Sequence, residues 1–399
     1  MQQDTRRLLW NTTALLISYM AVAMTLPVIS FFVTKGLGFS NGIAGLAVGI
    51  TFLSAILTRG SSGRLADRIG GKACVRRGLP LYITACLICS AAGLVSSPVL
   101  GLVLLLAGRF LLGLGDSLAL VGMLSWNIAL LGPQRSGIVF SLIGASIYGA
   151  IAVGGPLGMV CTEHFGFSGL MLLCGVLPLL GLLMIFPIPA ALPQSAKRTV
   201  PFLRVLRSIW RQGAVVFSQG VGFAALGAFI FLYFAHKGWQ HAGFALTCFG
   251  VGFVLMRIAF GSLPDKLGGM RVAVASLVVA AIGQLLLWLA PSPEIALGGA
   301  FFTGIGCSLI YPAMGVEVIR KVQPEERGTA VGGFAVFQDI AYGATAPIAG
   351  LFADQFGYSV VFLLGLAAAL LGLLIAVSTF IQKDTVIRED TIGSDKTIN

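Results

Sequence analysis

Long apolar runs separated by short polar clusters recur twelve times along the 399 residues. They lie near 9–34, 42–58, 79–96, 99–130, 137–161, 167–188, 213–235, 242–262, 272–290, 295–317, 329–352 and 358–380. A helix needs about 20 apolar residues to cross the hydrocarbon of a bilayer, and most of these runs supply them. Helices are the expected form, because an unpaired backbone amide in lipid costs several kcal/mol and such uniformly apolar runs lack the alternation of barrel strands. The pattern predicts an all-α membrane protein of twelve transmembrane helices.

The polar clusters repeat. GRLADRIGGK at 63–72 returns 198 residues later as GSLPDKLGGM at 261–270, each after an apolar run. Gly113-Leu114-Gly115-Asp116-Ser117-Leu118 in span 4 matches Gly304-Ile305-Gly306-Cys307-Ser308-Leu309 in span 10, at an offset of 191. At that offset Pro156 also meets Pro347, and Phe165-Gly166 meets Phe356-Gly357. The chain is therefore a duplicated six-helix unit. Six is even, so both copies enter the membrane in one orientation, related by an axis along its normal, and two such halves can rock about a site between them. The organisation expected is a six-helix bundle over 1–188, a linker over 189–212, a second bundle over 213–382 and a disordered cytoplasmic tail over 383–399. In the linker Arg204, Arg207 and Arg211 share one helical face, opposite Phe202, Val205, Leu206 and Ile209, which suits either a helix on an anionic membrane surface or a solvated connector.

Only 10% of residues are charged, yet the net charge is +11. Lys35 and Lys237 fall in odd-numbered connections and Arg109 lies inside a span; the other 23 of the 26 Lys and Arg lie on the side of the termini and even-numbered loops. That is the positive-inside bias, with both termini cytoplasmic. The charge thus reports topology, and no nucleic-acid partner is expected. Thr5-Arg6-Arg7-Leu8-Leu9-Trp10 is similar to a twin-arginine export signal, but the run after it has the length of a span and no small-residue cleavage site closes it, so it reads as an uncleaved first helix. Neither a zinc spacing nor a disulfide framework is visible among the seven cysteines. There is no GxxxxGK[ST] loop for a nucleotide-driven pump and no HExxH, and His164, His236 and His241 all map to the outer side. An enzyme is not expected, nor a resident metal.

GRLADRIGGK resembles the loop signature of the major facilitator superfamily, with Gly71 in place of its first basic residue and Pro264, Lys266 and Met270 as departures in the second copy. Arg109 with Gly113 and Gly115 is similar to that superfamily's span 4 signature, although Leu112 and Asp116 depart from it. Gly155-Pro156-Leu157-Gly158 resembles part of its antiporter signature. Leu26-Pro27 and Lys35-Gly36-Leu37-Gly38-Phe39-Ser40 resemble the first span and loop of the twelve-helix drug/proton antiporter branch, and within it bacterial arabinose-efflux permeases and opine-metallophore exporters. The resemblance implies a monomer of the bacterial inner membrane. It further implies a central cavity lined by spans 1, 4, 7 and 10, an interface of spans 2, 5, 8 and 11, and alternating access driven by the proton gradient without a cofactor.

Ionisable residues within spans are functional candidates by default, because lipid makes them costly. Away from the cytoplasmic span ends these are Arg109, Asp116 and Asp339, and a coupling role for protons or substrate is expected of them. Asp339 lies about 16 Å into span 11 by helical rise. It either exchanges a proton or forms a structural salt bridge, for which Arg109 is a candidate. Asp116 either faces the cavity with Arg109, seven residues away, or hydrogen-bonds a neighbouring helix. In the repeated phrase, Gly63 is expected to allow close helix approach, and Asp67 and Arg68 to form a gating latch with Arg59, repeated as Gly261, Asp265 and Arg257; topology alone would also account for these charges. Tyr19, Gln219, Phe223 and Tyr311 are further cavity candidates. Span 1 carries no acid, which disfavours a purely cationic substrate. The function expected is proton-coupled export of a small polar or zwitterionic metabolite, metallophore or drug; the alternative is import of a sugar or organic acid on the same fold.

Overall fold

The computed structural model describes residues 2–132, 135–191, 202–323 and 327–395. The first half consists of α1 (Gln2–Phe31), a π-helical turn (Phe32–Gly36), α2 (Asn41–Ile69), α3 (Gly71–Ala92), α4 (Pro98–Leu131) and α5 (Ser136–Ile185). A short helix α6 (Phe202–Ser208) leads into the second half: α7 (Trp210–His236), α8 (Gly243–Phe260), the single turn α9 (Leu263–Leu267), α10 (Gly269–Leu289), α11 (Pro293–Lys321), α12 (Arg327–Phe356) and α13 (Val360–Asp395). Ten helices among the described residues are long and apolar enough to cross a membrane, with α5 counted once. But α5 is two spans, broken at Gly166 by φ 67 and ψ −179. That division and the 30-residue α12 complete the twelve crossings expected.

The repeat is visible in the backbone. Gly70 and Gly268, 198 residues apart, both take φ near +85, and Gly166 and Gly357, 191 apart, take φ 67 and 83. A side chain is strained in that left-handed region, so glycine stands there. The glycine after each of the first pair serves packing. A Cβ on Gly71 would lie 2.3 Å from the Gly122 carbonyl oxygen, and one on Gly269 would lie 2.1 Å from that of Ala313. The paired glycines of the repeated phrase thus turn the chain and then seat α3 on α4 and α10 on α11. The two copies differ at one helix: α2 is continuous to Ile69, whereas α8 stops at Phe260, just ahead of Pro264, which has no N–H to continue it.

Three apolar cores hold the fold. One belongs to the first half, with Leu15, Tyr82, Met123, Trp126 and Cys174; another belongs to the second half, with Val216, Met270, Leu309, Met314 and Phe334. Both lie toward the end of the molecule that carries the termini. The third is shared by both halves, from Ile29 and Ala47 to Phe229, Phe249 and Ala346, and lies toward the opposite, far end. The bundles are fused at the far end and separate at the terminal end.

The linker helix departs from the sequence expectation. Val205 and Ile209 are buried in the core of the second half, so its apolar face docks on protein rather than lipid; Lys197 and Arg198 lie outside the described residues. Of the tail expected over 383–399, residues up to Asp395 continue α13, and 396–399 lie outside the described residues. Lys72, the last residue of the first repeated phrase, donates to the carbonyl oxygens of Phe186 (2.9 Å) and Ile188, capping the last turn of α5.

Candidate functional site

The far end is closed by backbone contact between the halves. A Cβ on Gly45 of α2 would fall 2.0 Å from the carbonyl oxygen of Ala346 on α12, and one on Gly49 2.3 Å from that of Gly343. These two glycines, one helical turn apart, sit on the seam between bundles. Gly155 and Gly158, the residues of the antiporter-like motif, pack on Leu246 of α8 and Met24 of α1. Sequence reasoning passed over the clasp beyond them. Asp354, at the far end of α12, accepts from the backbone N–H of Asn41 (3.0 Å) and of Gly42 (3.1 Å) and from Asn41 Nδ2 (2.7 Å). Tyr358 donates to Asn41 Oδ1 at 3.0 Å. A carboxylate at the N-terminus of α2 is favoured by that helix's dipole. Hydrogen bonds to charged groups contribute about 1.5–3 kcal/mol each. Asp354→Ala is therefore expected to open the far end, read as a lengthened distance between spin labels at Lys35 and Gln355, both exposed; an unchanged distance would show that the glycine seam alone holds it.

Inward of the clasp an aromatic layer fills the centre. Phe223 of α7 packs on Phe249 and Tyr342 with centroids 5.1 Å away in each case, and Tyr148 of α5 stacks on Phe253 at 3.6 Å. The hydroxyls of Tyr148 and Tyr342 share a hydrogen bond of 2.9 Å across the two halves, and Gln338 Nε2 donates to Tyr342 at 2.8 Å. Phe223, expected to line the cavity, is buried within this plug.

On its terminal side lies a charged layer. Asp339 of α12 is clamped by Arg59 of α2 in a two-point ion pair, Nε to Oδ2 at 2.5 Å and the other donor to Oδ1 at 2.8 Å. Asp339 is 6% exposed and Arg59 20%. Tyr19, Asp116 and Tyr311 lie within electrostatic reach of this pair. It is the one ion pair among the described residues that joins the two halves. A planar guanidinium matches both oxygens of a carboxylate, and a carboxyl group that has gained a proton no longer offers both.

The remaining candidates fall elsewhere than expected. Arg109 does not reach Asp339 or Asp116. Its guanidinium, 1% exposed, donates to the carbonyl oxygens of Ala47 (3.2 Å) and Val48 (3.5 Å) and to the Thr25 hydroxyl (3.5 Å). Asp116 accepts from the Tyr82 hydroxyl at 2.6 Å, so the neighbouring helix α3 supplies its partner. The latch residues are not assembled. Arg59 is committed to Asp339, and Arg257 lies over the Phe253 ring at 5.2 Å. Asp67 and Arg68 belong to the last turn of α2 rather than to a loop beyond it; they and Asp265 are exposed, with no ion pair among the described residues. A Cβ on Gly63 would meet nothing within 4 Å, nor would one on Gly144 or Gly332, and Gly261 marks the end of α8. The cause is common to all: the terminal ends of the bundles stand apart. Tyr19 and Tyr311 are partly buried, whereas Gln219 is buried with both amide atoms unpartnered.

Two six-helix bundles, fused at one end, parted at the other and joined by an ion pair between them, have the architecture of a membrane transporter. The chain belongs to the Major Facilitator Superfamily, whose model matches residues 12–242 and 240–395. An uncharacterized MFS-type transporter of Salmonella typhimurium is 42% identical over 369 residues, covering 90% of this chain and 93% of that protein. One of Burkholderia pseudomallei is 36% identical over 371 residues, covering 92% and 90%. Among solved structures, the nucleoside transporter NupG matches with a TM-score of 0.75 at 14% identity, over 94% of this chain and all of that one. The human organic anion transporter TETRAN matches with a TM-score of 0.70 at 16% identity, over 94% and 99%.

Proposed function

We propose that this transporter exports a small polar organic compound in exchange for protons, with Asp339 as the proton carrier and Arg59 as its alternate partner. The observation that carries this is the Arg59–Asp339 pair, buried and shared between the halves. With the terminal end on the cytoplasmic side, as the basic residues predict, the present conformation opens to the cytoplasm. There Asp339 has given up its proton and is held by Arg59. Substrate enters from the cytoplasm; the halves then rock, and Asp339 takes a proton from outside, which frees Arg59 and lets the cycle return. No cofactor takes part, and one chain contains the whole pathway. Buried Arg109, which has no acid beside it, and the first span over 9–34, which carries no acid, favour a polar compound over a lipophilic cation. The printed names of the structural neighbours, a nucleoside and an organic anion transporter, agree with that substrate range.

The test compares culture medium and cell contents from bacteria expressing the wild type, Asp339→Asn or no transporter. A compound enriched outside only with the wild type is the expected result. A compound depleted from the medium into wild-type cells would overturn export and make this an importer.

A further inference from the structure

Arg257 has no part in that cycle. It stands 198 residues after Arg59 and, like it, four residues ahead of its copy of the repeated phrase. The partner of Arg59 is Asp339, and the residue 191 positions before Asp339 is Tyr148. Across the seam of α2 and α12 a guanidinium therefore meets a carboxylate; across the seam of α8 and α5 its counterpart meets a phenol. That phenol is already engaged, hydrogen-bonded to Tyr342 at 2.9 Å. Arg257 instead has its guanidinium over the Phe253 ring, 5.2 Å from its centre, and Phe253 stacks on Tyr148. Its Nε is buried with no hydrogen-bond partner. No ion pair to it is found among the described residues.

A guanidinium held over an aromatic ring can still use its N–H groups to bind an anion. A second observation lies in the same neighbourhood. Gln219, 2% exposed, has neither Oε1 nor Nε2 satisfied, and it shares a face of α7 with Phe223, four residues on, which packs on Tyr148. The Cys307 thiol lies beside Gln219 and donates to its backbone carbonyl oxygen at 3.9 Å. Buried polar groups without partners cost about 1–3 kcal/mol each, more when charged, and so mark places where a partner is to come from elsewhere.

We propose that Arg257 binds the anionic group of the transported compound, that Gln219 binds a polar group beside it, and that the aromatic layer of Phe223, Phe249 and Tyr342 receives an apolar body. The substrate class is an organic anion with a planar apolar part, such as an aromatic carboxylate. This rests on the exporter reading and adds the chemistry of its binding site. Duplication of one half has thus left two arginines with two tasks: Arg59 holds the internal carboxylate, Arg257 the external one.

Titration calorimetry on the purified full-length protein in detergent tests this with benzoate, phenylacetate and indole-3-acetate, each beside its uncharged amide. At least one carboxylate is expected to bind, with its amide about tenfold weaker or more. Arg257→Gln is expected to lower carboxylate affinity by at least about tenfold while leaving the amide's unchanged, and Arg257→Lys to fall between. An unshifted thermal unfolding midpoint shows that the variants are folded. Binding of amide and carboxylate alike, unchanged binding by Arg257→Gln, or no binding of any of the three carboxylates would each overturn the proposal. Because the readout is binding, it fails separately from export: proton-driven export without carboxylate binding removes the anion site, and carboxylate binding without proton-driven export removes the coupling.

Discussion

Asp339→Asn is expected to abolish transport driven by a pH gradient while downhill exchange of substrate continues. An amide keeps the size of the side chain but neither takes up a proton nor carries the charge that holds Arg59. Removing one partner of a buried ion pair costs about 3–5 kcal/mol, because the other charge is left behind; here the cost lies at the lower end, since Arg59 is 20% exposed. The double variant Arg59→Gln with Asp339→Asn leaves no orphaned charge and is expected to unfold at a higher temperature than Arg59→Gln or Asp339→Asn alone. The measurement is uptake into proteoliposomes with and without an imposed pH gradient. Wild-type proton-driven rates in Asp339→Asn would take this carboxylate out of the coupling mechanism.

Gly45→Ala is expected to hold the far end open. Its methyl group would fall 2.0 Å from a backbone carbonyl oxygen of the other half, which cannot swing aside as a side chain can. Overpacking of this kind costs about 1–3 kcal/mol. Spent on one of two conformations, it shifts their ratio by about five- to 150-fold. The separation of spin labels at Lys35 and Gln355 should lengthen, and turnover should fall because return to the present conformation is impeded. Gly63→Ala on the same helix is the control: its Cβ meets nothing here, so the far end should stay closed. Equal distances in Gly45→Ala and wild type would mean that the seam is not the gate.

Much of the architecture is legible from local pattern. Hydropathy finds the spans, and the glycines of GRLADRIGGK and its copy mark turns that only glycine adopts without strain. The residues that meet across the halves are not legible in this way. Arg59 and Asp339 are 280 positions apart, and their pairing depends on how two bundles are set against each other, which no local pattern encodes. Asp354 looks like an ordinary loop-end acid until Asn41 is beside it. The latch shows the reverse difficulty. Asp67, Arg68 and Gly63 suit a contact that the present conformation does not make, because a sequence specifies every state of a moving protein and a structure displays one. The repeat itself sets Tyr148 opposite Asp339, which makes the acid a feature of one half only and implies that Arg257 lacks the partner Arg59 has.

The three cores carry a consequence for biogenesis. The first bundle can bury its own core as soon as residues through Ile188 have left the ribosome, and the second closes around its own core with α6 as its first piece. Their common core needs residues of both halves, so the bundles are expected to dock after each has closed on its own. That late-formed surface is also the one that must part in every turnover. Substitutions that loosen it are thus expected to slow maturation and alter the working cycle together, linking yield in the cell to kinetics in the membrane.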